Sequence, residues 1–171
     1  MSNQLEQELT PLLEPLYRYA MALTASDSDA SDLVQETMLR AVRNRSRFLG
    51  LENKRAWLFK VLSNVHLDSI RKRKRHLIAN SKMQLHQNLV AAPETTPSSA
   101  NENQKKILDM FQALPDVQRK VMYLRCVEEC SVRQIAETLG TTENNVKANL
   151  SIARKKIRAK LKKTDDEVVK R

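Results

Sequence analysis

Apolar residues recur at spacings of three and four along most of the chain, the period of helices buried on one side. Leu9, Leu12, Leu13, Leu16, Ala20 and Leu23 form the first such stripe. Thr10-Pro11 is its expected cap and first helical position, because proline has no N–H to leave unpaired there, and the helix should end by about Ala25. Ser26, Asp27, Ser28 and Asp29 then make a polar turn able to cap a second helix, whose apolar face is Ala30, Leu33, Val34, Met38, Ala41 and Val42. Phe48-Leu49-Gly50-Leu51 breaks the period, and Asn53 caps a third helix with Trp57, Leu58, Val61, Leu62, Val65 and Ile70 on one side. That helix runs into Arg71-Lys72-Arg73-Lys74-Arg75. Trp57 is expected in a core shared by these helices rather than as a ligand platform.

From about Ser81 to Asn103 the period fades, and Ala91-Ala92-Pro93-Glu94-Thr95-Thr96-Pro97-Ser98-Ser99 has the makeup of a tether. Roughly 20 residues of coil have an r.m.s. span of about 25 Å and stretch to about 65 Å, enough to hold two domains on separate sites of one duplex. The expected organisation is therefore a helical domain over 1–80, a flexible linker over 81–104, a second helical domain over 105–163 and a tail over 164–171. The second half opens with Ile107, Leu108, Phe111 and Leu114, then Pro115 at a first helical position before Val117, Val121, Met122 and Leu124. Ser131 and Gln134 have capping-box spacing, and a short helix should run from there to Gly140. Thr141 or Thr142 caps the last helix, whose apolar face is Val146, Leu150, Ala153, Ile157 and Leu161.

Only 2 glycines and no alternating apolar pattern make the expected fold all-α. Charge then separates the halves of the first domain: Met1 to Glu36 holds seven acidic residues and one basic, whereas Thr37 to His76 holds twelve basic and two acidic. The formal charge of +10 favours a polyanionic partner, since phosphates bound by Lys and Arg release condensed counterions. No apolar run approaches the roughly 20 residues that span a bilayer, and no basic-then-apolar leader opens the chain, so a cytoplasmic protein without membrane insertion is expected. Cys126 and Cys130 lie four apart with no histidine at zinc-finger spacing; they read as free thiols, with a redox role left open. His66, His76 and His86 recur every ten residues without forming a site, and neither clustered carboxylates nor a nucleophile beside a base is visible. No catalytic site, metal or cofactor is expected.

Ser131 to Leu150 has the form of a helix-turn-helix: Ala136 is small enough for two helices to cross closely, Gly140 allows the turn, and Ile135, Leu139, Val146 and Leu150 bury the junction. The front of the second helix of such a motif enters the major groove, which makes Asn144, Asn145, Lys147 and Asn149 candidates for base edges; Arg133, Ser151, Arg154 and Lys155 suit phosphates. A stand-alone helix-turn-helix regulator would account for this half alone.

Motifs in both halves resemble the extracytoplasmic-function (ECF) sigma factors of bacterial RNA polymerase. Asp32-Leu-Val-Gln-Glu36-Thr with Leu39-Arg40-Ala41-Val42, then Trp57 to Arg71, is similar to their second conserved region. Leu114-Pro115 with Gln118-Arg119, Ser131 to Gly140, Val146-Lys147, Leu150 and Ala153-Arg154 are similar to the fourth. The resemblance implies that Asp32, Gln35, Glu36 and Arg40 bind the polymerase core, through β′ with β as a further partner. It implies that Asn53, Lys54, Arg55, Lys60, Asn64, Asp68, Arg71, Arg73 and Arg75 serve the minus-ten element, with Asn64 reading an unstacked base through its amide. The second half would then read the minus-thirty-five element of the same promoter DNA. Family members are often restrained by an anti-sigma factor covering both domains, and the resemblance extends that expectation here. The chain departs from the family pattern at Ala148 and Asn149, where Ser-Arg before the leucine is usual, and at Ile152, where an arginine before Ala-Arg is usual.

Overall fold

A computed structural model describes the backbone of residues 2–83 and 102–169 and the side chains of residues 4–80 and 105–163. His86, most of the expected tether and the side chains of the tail lie outside the described residues. Among those described there is no strand. The first half holds α1 (Ser2–Thr24), α2 (Asp27–Arg43), the short α3 (Arg45–Leu49) and α4 (Lys54–Met83); the second holds α5 (Glu102–Gln112), α6 (Asp116–Cys126), α7 (Val132–Leu139) and α8 (Glu143–Val169).

Helix α1 begins well before Thr10-Pro11 and runs through both Pro11 and Pro15. Each proline removes a ladder hydrogen bond and crowds the carbonyl four residues back, which a helix tolerates only if packing compensates. Leu5, Leu9, Leu16, Tyr19, Ala20 and Leu23, all buried, provide that packing. Thr10 is therefore not a cap; its hydroxyl donates to the Glu6 carbonyl at 2.7 Å. Ser26 caps α2 as expected, accepting from the Asp29 N–H at 3.3 Å. The buried face of α2 is Ala30, Leu33, Thr37 and Ala41, whereas Val42 points outward at 53% exposure. Thr37 can sit inside because its hydroxyl is satisfied by the Leu33 carbonyl at 2.7 Å.

Asn53 caps α4, its side-chain oxygen accepting from the Ala56 N–H at 2.9 Å. Leu58, Phe59, Leu62 and Val65 of α4 are buried, while Trp57 is only partly so and lies 5.7 Å, ring to ring, from Phe48. Ile70 is exposed and leaves the expected face. In the second half Pro115 is the cap of α6 rather than its first residue, a shift of one position. Leu161, expected on the apolar face of α8, is exposed, although the adjacent Lys160 still donates to the Asp109 carbonyl of α5 at 3.1 Å.

The helices of the first half pack on one another, as do those of the second, and the two sets also meet: α5 and α6 lie on α1, and α7 lies on α4. Tyr123 of α6 is the centre of that junction. Its ring stands 4.9 Å from Tyr19 and 5.9 Å from Phe111, and Tyr19 in turn is 4.9 Å from Phe59, so one aromatic cluster is built from both halves.

Candidate nucleic-acid interface

The helix-turn-helix is shaped by local chemistry. Ser131 and Gln134 form a reciprocal capping box at the start of α7, which satisfies two otherwise unpaired backbone donors. Gly140 ends the helix in the left-handed region at φ 66°, where a side chain would be strained. Thr142 is the cap that starts α8, accepting from the Asn145 N–H at 3.2 Å. Ile135, Ala136, Val146, Leu150 and Ala153 are buried between the helices.

This packing divides the candidate base-edge and phosphate contacts of α8 into two sets. Asn144, Lys147, Ser151, Arg154 and Lys155 are exposed, and helical spacing aligns them as a polar and basic strip along α8. Asn145 and Asn149 are tied to their own helix instead: the Asn145 amide donates to the Thr141 hydroxyl at 2.7 Å, and the Asn149 amide donates to the Asn145 carbonyl and side-chain oxygen at 2.9 and 2.8 Å. Both line a cleft of about 190 Å³ whose opposite wall carries Asn64. Arg133, on α7, is exposed and paired with Glu137 at 3.0 Å.

On the first half, Asn64, Lys60, Asp68, Arg71, Arg73 and Arg75 are exposed along α4. They are not all free cations. Asp68 lies between Arg40 at 4.0 Å and Arg71 at 3.9 Å, and Arg73 reaches Asp29 at 3.3 Å. Asp68 thus links the strip on α4 to the face expected to hold polymerase, since Arg40 also bonds Glu36 at 3.0 Å. Lys54 pairs with Glu8 at 3.5 Å, and Arg55 turns to the second half, where its guanidinium bonds the Glu128 carboxylate.

Asp32 and Gln35 are exposed on α2, with Glu36 half-buried beside them. Leu39 and Val42 continue the same exposed stripe at 48% and 53% exposure, three to seven residues further along. Sequence reasoning missed Leu39 and placed Val42 in the core; an apolar stripe wider than one buried face was the available signal.

Cys126 is exposed and Cys130 half-buried, and both are free. Burial, and then the Glu128 carboxylate, push the Cys130 thiol up, which works against the thiolate that redox chemistry needs. Among the described residues no group of histidine, cysteine and carboxylate side chains could hold a metal. No described helix is long and apolar enough to cross a membrane.

Sequence profiles of two families match this geometry half by half: Sigma-70 region 2 over residues 10–76 and Sigma-70 region 4 over residues 104–157. The ECF RNA polymerase sigma factor SigL of Mycobacterium tuberculosis is 33% identical over 151 residues, 85% of this chain and 82% of the relative. This chain belongs to the ECF sigma factors. EcfG of Rhodopseudomonas palustris is also similar, at 29% identity over 94% of this chain and 87% of its own. Among solved structures, the sigma factor RpoE of Bartonella quintana, crystallised with the anti-sigma factor NepR, matches with a TM-score of 0.74 at 27% identity, covering 92% of this chain and 96% of that one. As a sigma factor the protein binds RNA polymerase core and directs promoter-specific initiation, and it is not itself an enzyme. The stand-alone regulator is not favoured, because it leaves region 2 without a purpose.

Proposed function

We propose that the sigma factor works through three separate surfaces. The exposed stripe of α2 docks on polymerase core through Asp32, Gln35, Glu36 and Arg40, with Leu39 and Val42 adding apolar area to a contact that charge orients. The α4 strip from Asn53 to Arg75 serves the minus-ten element: Asn64 reads an unstacked base, while Lys60, Arg71, Arg73 and Arg75 hold phosphates. In region 4, Asn144 and Lys147 meet base edges at the minus-thirty-five element, Asn145 and Asn149 join them once released, and Arg133, Ser151, Arg154 and Lys155 grip the backbone.

The observation that carries this reading is that one chain presents a helix-turn-helix with an exposed basic strip and, on a different helix, an acidic stripe with exposed leucine and valine. A DNA-binding protein alone has no use for the second. The functional units in this reading are 1–80 and 105–163, joined by 81–104 and followed by 164–171. The protein works in the cytoplasm, on the nucleoid while active, and an anti-sigma factor restrains it, as the likeness to RpoE captured with NepR supports.

The test is retention by purified polymerase core and run-off transcription. Wild type should be retained and should start RNA synthesis, whereas a variant with Asp32, Gln35 and Glu36 all changed to alanine should lose both. Equal retention of the two proteins would overturn the assignment of α2.

A further inference from the structure

Between Glu143 and Lys156 the exposed residues of α8 are polar or charged except for two, Ala148 and Ile152. The buried stripe of the helix runs through Val146, Leu150 and Ala153 to Ile157, which packs against the core, and it leaves Ile152 outside at 45% exposure. Asn144, Ala148 and Ile152 follow one another at i+4 spacing, with Ser151 and Lys155 beside them, on the side turned away from that stripe. The stripe packs on α6 and α7, so the opposite side is the one a helix-turn-helix presents to a major groove.

A single isoleucine on a protein surface is ordinary. One within a DNA-reading face is different, because every residue one turn from it is small or polar: Ala148, Asn149, Lys155 and Lys156. Helix propensity does not account for it, since isoleucine is a poorer helix former than the arginine usual at that position. Lys147, Arg154, Lys155 and Lys156 surround the two apolar residues, which suits a polyanion rather than an apolar protein surface.

The chemistry of the groove supplies a reason. Guanine, cytosine and adenine offer hydrogen-bonding groups there, whereas thymine adds a C5-methyl. An arginine fork donates to guanine O6 and N7; an isoleucine donates nothing, and set against those acceptors it would strand them away from water. Ala148 likewise lacks the hydroxyl of the usual serine, which can bond either kind of group. Asn149 does not restore the missing fork, because its amide is shorter and is bonded to the Asn145 carbonyl and side-chain oxygen at 2.9 and 2.8 Å. Four residues of helix rise about 6 Å, a little under two base-pair steps of roughly 3.4 Å.

We propose that Ala148 and Ile152 are specificity-determining residues of region 4, reading thymine C5-methyl groups that lie within two base pairs of each other in the minus-thirty-five element. This rests on the assignment of α8 to that element made above. The element is then thymine-bearing at the step where an arginine at position 152 would select guanine.

The methyl group can be removed without touching the protein, because deoxyuridine differs from thymidine by that group alone. Holoenzyme assembled from polymerase core and the full chain selects bound duplexes from a promoter fragment that supports run-off, with its upstream element randomised. The pool is prepared once with thymidine and once with deoxyuridine. Wild type should enrich thymine at one or two positions no more than two steps apart, and should not enrich uracil there in the second pool. On single duplexes from the first selection, thymine→uracil should weaken binding about fourfold per methyl, the factor that burial of one such group gives. Ile152→Ala should lose that difference at one position, and Ile152→Arg should exchange thymine for guanine there. Both variants change an exposed side chain, and their circular dichroism should match wild type.

Equal enrichment of uracil and thymine by wild type would overturn the proposal, as would the absence of thymine from every enriched position. Loss of retention by core in Ile152→Arg would also overturn it, by assigning this face to a protein partner. If RNA synthesis starts while no upstream base is enriched at all, the assignment of α8 to the minus-thirty-five element falls, and this proposal with it.

Discussion

His66 Nε2 lies 2.9 Å from Asp116 Oδ1, and this pair bridges α4 of region 2 to the first turn of α6 in region 4. Burial alone would push the Asp116 carboxyl up. Hydrogen bonds from His66 and Lys120, with the charge of Lys120, outweigh it and hold the group at about 2. The titratable groups facing it are His66 from α4 and Lys120 and Arg119 from α6.

That lowering fixes a pH window. A depressed carboxyl contributes stability that is full above its ordinary value of 3.8 and lost as pH falls through about 2. Asp116→Asn removes the contribution at every pH. The difference in thermal midpoint between wild type and Asp116→Asn should therefore be largest near neutrality and shrink between about pH 4 and pH 2. A constant difference across that range would show that the carboxylate charge is not what Asp116 provides.

Tyr19 carries the shared aromatic cluster and is fully buried, with its hydroxyl sharing a hydrogen bond with Ser63 at 2.8 Å. Tyr19→Phe keeps the ring and strands the Ser63 hydroxyl, for an expected loss of about 1 kcal/mol in urea unfolding. Tyr19→Ala also empties the space between Phe59 and Tyr123, and should cost about 3–5 kcal/mol. A Phe variant as unstable as the Ala variant would mean that the hydroxyl, not the packing, dominates.

At Gly140 an added Cβ meets nothing within 4 Å, so the expense of a side chain there is purely conformational. Gly140→Ala is predicted to destabilise region 4 by about 1–2 kcal/mol, read from chemical denaturation. Ser131→Ala, which removes one half of the capping box, should cost about 1 kcal/mol.

Salt dependence separates the two kinds of DNA contact on α8. Lys155→Ala and Arg154→Ala should weaken holoenzyme binding on all promoters alike and lower the slope of log affinity against log salt by about 1 each. Asn144→Ala should instead relax discrimination at one base position and leave the slope alone. Competition binding over a series of salt concentrations distinguishes them.

Leu39 and Val42 are exposed, so alanine at both should change unfolding free energy by less than about 0.5 kcal/mol. If they belong to the polymerase-docking stripe, the same double variant loses retention by core by severalfold. Full retention would confine docking to the charged residues of α2.

The one-dimensional pattern determined the class of this protein and most of its elements. Helical spacing, the caps at Ser26, Asn53 and Ser131 and the left-handed Gly140 depend on residues a few positions apart, and such chemistry is legible wherever the residues stand in line. The paired motifs around Asp32, Asn64 and Val146 were legible for the same reason, and they led to the family. Tertiary structure decided what spacing leaves open. It sent Thr37 inward and Val42 outward, let α1 run through Pro11 and Pro15, and separated Asn145 from Asn144. Above all it decided that His66 meets Asp116 and Arg55 meets Glu128, across 50 and 73 residues of chain. A polar side chain reads alike in sequence whether water or another helix lies in front of it, so only the packed fold could show that the two halves face each other.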